Sequence, residues 1–247
     1  MIMEQNFEIK LATVFTVNRR SLTEDQGRLF SHLTDEMLRV NQHMNLTAVT
    51  DPEEIAVKHY VDCASIADLP PQGASVCDIG AGAGFPTLPL AILRSDLRIT
   101  AVDSTEKRMN YVSQTAQNLN LNGVCTLTAR AEELGKDGTY RESFDFVTAR
   151  AVAPLNILCE LCLPLVKVGG CFCALKAAGG REELEQAKKA AELLGATVKE
   201  IREFSLVDPF GSIPQDALKR VLILFEKISP TPDLYPRRYA KIQSKPL

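Results

Sequence analysis

Three glycines at alternate positions, Gly80, Gly82 and Gly84, follow an acid in the run Asp78-Ile79-Gly80-Ala81-Gly82-Ala83-Gly84-Phe85-Pro86. Such a run lets a chain turn sharply and bring bare backbone against a ligand. It is not a P-loop, because no Gly-Lys-Ser/Thr follows it. It is not the dinucleotide fingerprint either: G-x-G-x-x-G begun at Gly80 requires glycine where Phe85 stands. Pro86 also removes an N–H from the place where a helix N-terminus would hold a pyrophosphate. A nucleoside without phosphate remains. It needs a carboxylate for its ribose hydroxyls, and Asp103 lies 21 residues after Gly82. Asp78 is placed to hold the loop or a ligand ammonium, and Ala131-Glu132 stand where an adenine edge would lie.

These residues act together only if strands deliver them to one edge. Strand patterns cover Ser75–Ile79, Ile99–Val102, Val124–Thr128, Phe144–Ala149, Cys171–Leu175, Thr197–Phe204 and Val221–Glu226. Helix patterns cover Thr87–Leu93, Thr105–Leu119, Leu155–Val166 and Arg181–Leu194. The connection 129–143 has no clear pattern. The alternation predicts an α/β fold with a doubly wound, mostly parallel seven-stranded sheet, whose ligands sit at the strand carboxyl ends. The last two strands have no helix between them and are expected to pair antiparallel at one edge. Ahead of the sheet, Ser21–Val40 has helical spacing with Thr23 and Gln26 as a capping box, and Asp51 caps a helix opening with Pro52. The linker Leu69-Pro70-Pro71-Gln72-Gly73 ends this part. Three regions result: an N-terminal helical extension (1–70), a ligand-binding domain (71–228) and a basic tail (229–247).

The 247 residues are 45% hydrophobic and 24% charged, as in an ordinary globular protein. The longest apolar run, Leu161–Cys173, is broken by Pro164, Lys167, Gly169 and Gly170 and is too short to span a bilayer. The N-terminus has no secretory pattern, so a cytoplasmic protein is expected. Seven cysteines are an odd number. The Cys159-x-x-Cys162 pair lies in a helical run without a second pair, so packing is expected and no metal site. The net charge is −3, yet residues 219–247 hold 7 basic and 2 acidic residues. Arg237, Arg238, Lys241 and Lys245 could contact RNA phosphates, or the segment could be a solvated end. Tail and glycine loop are read as separate elements.

The stretches Asp78–Leu90, Asp103-Ser104-Thr105-Glu106-Lys107-Arg108, Arg130-Ala131-Glu132-Glu133 and Thr148-Ala149-Arg150-Ala151 resemble the glucose-inhibited division protein B family. Asn45-Leu46-Thr47-Ala48-Val49, with His59 and Asp62, resembles that family's N-terminal region, and Tyr235-Pro236-Arg237-Arg238 through Lys245-Pro246-Leu247 its tail. Cys63 departs from the serine of many members. The resemblance implies a Rossmann-like class I methyltransferase, with S-adenosylmethionine as cofactor. Its acceptor would be N7 of one guanine in small-subunit (16S) ribosomal RNA, free or in an assembly intermediate. It implies cofactor contacts at Gly80, Phe85, Asp103, Ser104, Thr105, Ala131, Glu132 and Arg150, with Asp78, Gly82 and Gly84 added from the loop itself. Arg150, as the catalytic candidate, and Lys176 stand at strand ends where they could donate to guanine O6. A monomer is expected, without membrane or metal. A methyltransferase for another RNA or a small molecule, a nicotinamide oxidoreductase and a non-catalytic RNA binder are the competing readings.

Overall fold

The computed structural model describes residues 2–247, with side chains from residue 6. Helix α1 (Ile2–Val17) is absent from the sequence expectation. Leu11, Val14 and Phe15 form its buried face, but Ile9 and Val17 are exposed, which blurs the apolar period. The capping box opens α2 (Glu24–Met44): the Gln26 N–H donates to Thr23 Oγ1 at 3.2 Å and the Thr23 N–H to Gln26 Oε1 at 3.0 Å. Asp51 caps α3 (Pro52–Ile55) by accepting the Glu54 N–H at 2.9 Å. This helix runs through a π-helical turn, Ala56–Val61, into α4 (Asp62–Ala64). Such turns re-aim side chains and recur at functional sites. Here the turn carries Lys58 and His59.

The sheet then builds as β1 (Ser75–Ile79), α5 (Thr87–Leu93), β2 (Arg98–Asp103), α6 (Glu106–Asn118), β3 (Val124–Thr128) and α7 (Ala131–Leu134). It continues with β4 (Phe144–Arg150), α8 (Leu155–Cys162), β5 (Val166–Ala177), α9 (Gly180–Leu193), β6 (Ala196–Ser205) and β7 (Lys219–Lys227). The order is β3-β2-β1-β4-β5-β7-β6, with β7 antiparallel to both β5 and β6 and the other pairs parallel. The seven-stranded, mostly parallel sheet is thus present, with the antiparallel pair at its edge. Winding reverses between β1 and β4, which opens a crevice at their carboxyl ends. Ile79 aligns with both Val102 and Ala149, so Gly80, Asp103 and Arg150 leave the sheet at one level.

The extension up to residue 70 shares its core with the sheet. A ladder of rings links Phe15 to Phe30 (5.5 Å), Phe30 to Tyr60 (4.7 Å) and Tyr60 to Phe85 (6.2 Å). The C-terminal segment is folded on as well: α10 (Tyr239–Ser244) buries Ile242 completely in the cluster around Leu155 and Leu158. Cys159 and Cys162 are fully buried core residues. Among the described residues, no group of three or more His, Cys, Asp or Glu side chains could hold a metal ion, and no helix is long and apolar enough to cross a membrane.

Candidate active site

The glycine turn and the end of β2 are tied by a single carboxylate. Asp103 Oδ2 accepts the Gly82 N–H at 3.1 Å, and Oδ1 accepts the Thr105 N–H at 2.8 Å. Gly80 has φ +70°, and a Cβ there would stand 2.4 Å from Val152 Cγ2. Only glycine lets the β4–α8 connection come so close. Gly80, Asp103, Ser104, Thr105, Ala131 and Glu132 line a cavity of about 260 Å³ at this edge. Its donor set suits a nucleoside without phosphate. The carboxylate keeps lone pairs for a diol. The first turn of α5 offers a pyrophosphate little, since the Thr87 N–H is spent on Asp78 Oδ2 (3.2 Å) and Pro86 has none.

Five residues expected at the cofactor stand outside that wall. Asp78 is 1% exposed and takes both the N–H and the hydroxyl of Thr87, the latter at 2.6 Å. Its Oδ1 has no partner among the described residues, and burial pushes its carboxyl up to about 6. Gly82 acts through its N–H. Gly84 packs on Leu88 and Val112. Phe85 is buried, its ring 4.7 Å from that of His59 and 5.2 Å from the Arg150 guanidinium.

Arg150, the fifth, turns toward the N-terminal helices. Its Nη1 donates to Asp62 Oδ2 at 3.0 Å and to the Lys58 carbonyl at 3.3 Å. Arg220 holds the other oxygen of Asp62 through Nε at 2.9 Å. Both arginines line a second cavity of about 510 Å³ together with Lys58, His59 and Lys176. Thr47 Oγ1 meets His59 Nε2 at 3.0 Å, and Thr47 is itself gripped by Asn41, so the Asn45–Val49 stretch serves to seat this histidine. Burial, then the Arg150 charge, push His59 down to about 3. Lys176 is tied to Glu183 at 2.8 Å and to the Ala153 carbonyl at 3.0 Å. Ala151 lines this basic cavity and Val152 the other, so the two sites lie one residue apart along the chain. Ala151 has φ +56°, a strained left-handed backbone at that junction.

The four tail cations separate. Arg237 grips the fully buried Glu160, Nε to Oε1 at 2.8 Å and Nη2 to Oε2 at 2.6 Å, so its fork is not available to a phosphate. Arg238, Lys241 and Lys245 are exposed. The sequence reading missed Val152, Leu161 and Tyr239 in the cavity beside Asp103 and Arg220 in the basic one.

The strand order β3-β2-β1-β4-β5-β7-β6 with β7 antiparallel, together with a glycine turn at the switch point and an acid at the end of the neighbouring strand, is that of a Rossmann-like class I S-adenosylmethionine-dependent methyltransferase. The model of the GidB family, rRNA small subunit methyltransferase G, matches residues 26–209, and the chain belongs to that family. The relative from Oceanobacillus iheyensis, a ribosomal RNA small subunit methyltransferase G, is 47% identical over 92% of this chain and 93% of its own. The protein of the same name from Lactobacillus delbrueckii subsp. bulgaricus is 46% identical over 92% and 93%. The structure of M. jannaschii TYW2 in complex with AdoMet superposes with a TM-score of 0.53 at 18% identity, covering 69% of this chain and 77% of that one, which speaks to the fold alone.

Proposed function

We propose that this protein methylates N7 of a guanine in small-subunit (16S) ribosomal RNA, acting as a monomer in the cytoplasm on the RNA or an assembly intermediate. S-adenosylmethionine, when bound, supplies an electrophilic methyl group on its sulfonium. Gly80, Asp103, Ser104, Thr105, Ala131 and Glu132 would hold its nucleoside. The basic cavity one residue away would receive the acceptor base.

One observation carries the choice of atom: among the described residues, the basic cavity has donors and no carboxylate left to act as a base. Asp62 is shared by Arg150 and Arg220. Glu183 is taken by Lys176 and the Leu155 N–H (2.6 Å). His59 is a weak base at a value of about 3. A hydroxyl or amide acceptor must lose a proton and needs a base poised near neutral pH. Guanine N7 has an in-plane lone pair and no proton, so positioning suffices. Arg150, with Arg220 and Lys176, would donate to O6 and nearby phosphates. Arg238, Lys241 and Lys245 would hold the RNA backbone. The test replaces the acceptor guanine by 7-deazaguanosine. Transfer is expected to stop while RNA binding persists, and methylation of the deaza RNA would overturn the N7 reading.

A further inference from the structure

Charge alone suggests for the C-terminal segment either RNA contact or a solvated end. Its docking points to a second role. Glu160 lies on α8 with no exposure, and among the described residues its one counter-charge is Arg237, which also donates its backbone N–H to Oε1 at 2.8 Å. A buried carboxylate without a partner is costly. The segment must therefore be in place for α8 to be satisfied. Arg141 secures it from the other side, donating Nη1 to the Tyr235 carbonyl at 2.8 Å and Nη2 to the Thr231 carbonyl at 2.6 Å. Pro236 sits against Gly135, where a Cβ would come within 2.8 Å of its ring.

This strap ends at the nucleoside cavity. Leu161 follows Glu160 and lines it; Tyr239 comes two residues after Arg237 and lines it too. Among the lining residues Tyr239 has the only aromatic ring. Asp103, Ser104 and Thr105 make the polar wall, suited to a ribose. A purine needs a flat apolar face, and bases stack on aromatic rings.

We infer that Tyr239 is a cofactor-binding residue: its ring forms the wall against which the adenine of S-adenosylmethionine stacks, and the Glu160–Arg237 pair holds it there. The inference rests on assigning this cavity to the nucleoside, and the experiment separates the two. S-adenosylhomocysteine is titrated calorimetrically into wild type, Tyr239→Ala, Tyr239→Phe and Asp103→Ala, without RNA. Loss of a base–ring stack corresponds to roughly 5- to 150-fold weaker binding. Tyr239→Ala should show a loss in that range, with the ligand-free melting temperature within a few degrees of wild type. Tyr239→Phe should bind within about twofold of wild type. Because the chain has no tryptophan, Tyr239→Trp installs a single reporter, whose emission should change on adding S-adenosylhomocysteine and not on adding methionine. Tyr239→Ala within twofold of wild type while Asp103→Ala binds weakly overturns the stacking role alone. Should both variants bind normally, the assignment of the cavity falls with it. If Tyr239→Ala does not fold, the tryptophan reporter decides, and an emission unchanged by ligand counts against the proposal.

Discussion

Asp103 gives the most quantitative test of the cofactor site. A carboxylate offers about four lone-pair positions. Two are used by the N–H groups of Gly82 and Thr105. Arg108 Nη1 stands 3.8 Å from Oδ2, beyond hydrogen-bond reach. Two positions remain for a ribose diol. Asp103→Ala removes these and should weaken S-adenosylmethionine binding by about 1–3 kcal/mol, roughly 5- to 150-fold. The loop also loses its tether, a net cost of about 1 kcal/mol that lowers the melting temperature of the free protein by about 2–4 °C. Calorimetry with the cofactor and with a dideoxyribose analogue completes a double-mutant cycle. Removing the hydroxyls should hurt wild type and cost Asp103→Ala little more. If the two losses add, Asp103 does not hold the ribose and only shapes the loop.

Arg237→Ala strands Glu160, a buried charge, and should destabilise the fold by about 3 kcal/mol, lowering the melting temperature by about 6–12 °C; restoring stability with Glu160→Gln in the same chain is expected, and a melting curve equal to wild type would show the pair contributes nothing. Asp78 and His59 pull stability in opposite directions with pH. Asp78 is raised to about 6, so its contribution is present below its unfolded value near 4 and is lost as pH rises through 6. His59 is lowered to about 3, so the unfolded chain takes up its proton first and stability is lost as pH falls below 6.5. Asp78→Asn should unmask the histidine, making stability fall more steeply on acidification by up to about 1.4 kcal/mol per pH unit between 4 and 6; urea denaturation at three pH values reads this, and curves parallel to wild type exclude it. Changing Arg238, Lys241 and Lys245 to alanine should flatten the log–log salt dependence of RNA binding by about one to three units, whereas unchanged slopes would place the RNA surface elsewhere.

What could be read from the sequence was local. Each early strand is a short apolar run ending in a polar or glycine residue, so Gly80, Asp103 and Ala131-Glu132 fall on one edge as soon as the strands are parallel. Thr23, Gln26 and Asp51 carry their caps within three residues. What escaped were partners far along the chain. Arg150 meets Asp62 across 88 residues, and Arg237 meets Glu160 across 77. Nothing about Arg237 distinguishes it from Arg238 by composition. The readable signal sat on the other partner: Glu160 is the lone acid within Leu155–Leu165, and an acid set among apolar residues on a buried helix calls for a cation.

Arg220 was missed for a geometric reason. A search for site residues at strand carboxyl ends works where all strands run one way. Strand β7 runs the other way, pairing Arg220 with Ala177 and Val221 with Lys176. Its start, not its end, therefore lies beside the carboxyl ends of β4 and β5. The antiparallel insertion brings a cation from the beginning of a strand to the edge where the parallel strands finish, and Asp62 fixes it beside Arg150. The same logic explains Tyr239. After β7 the chain passes Gly135, next to α7, and packs on α8, where Ile242 is buried, and the Glu160–Arg237 pair anchors it so that Tyr239 lines the cavity beside Asp103. Tyr239, which lines that cavity, and the exposed Arg238, Lys241 and Lys245 then share one segment. Sequence reading treats tail and glycine loop as separate elements; if Tyr239 stacks on the adenine as inferred, releasing Arg237 from Glu160 should loosen the cofactor as well as the tail, which calorimetry on Arg237→Ala reads.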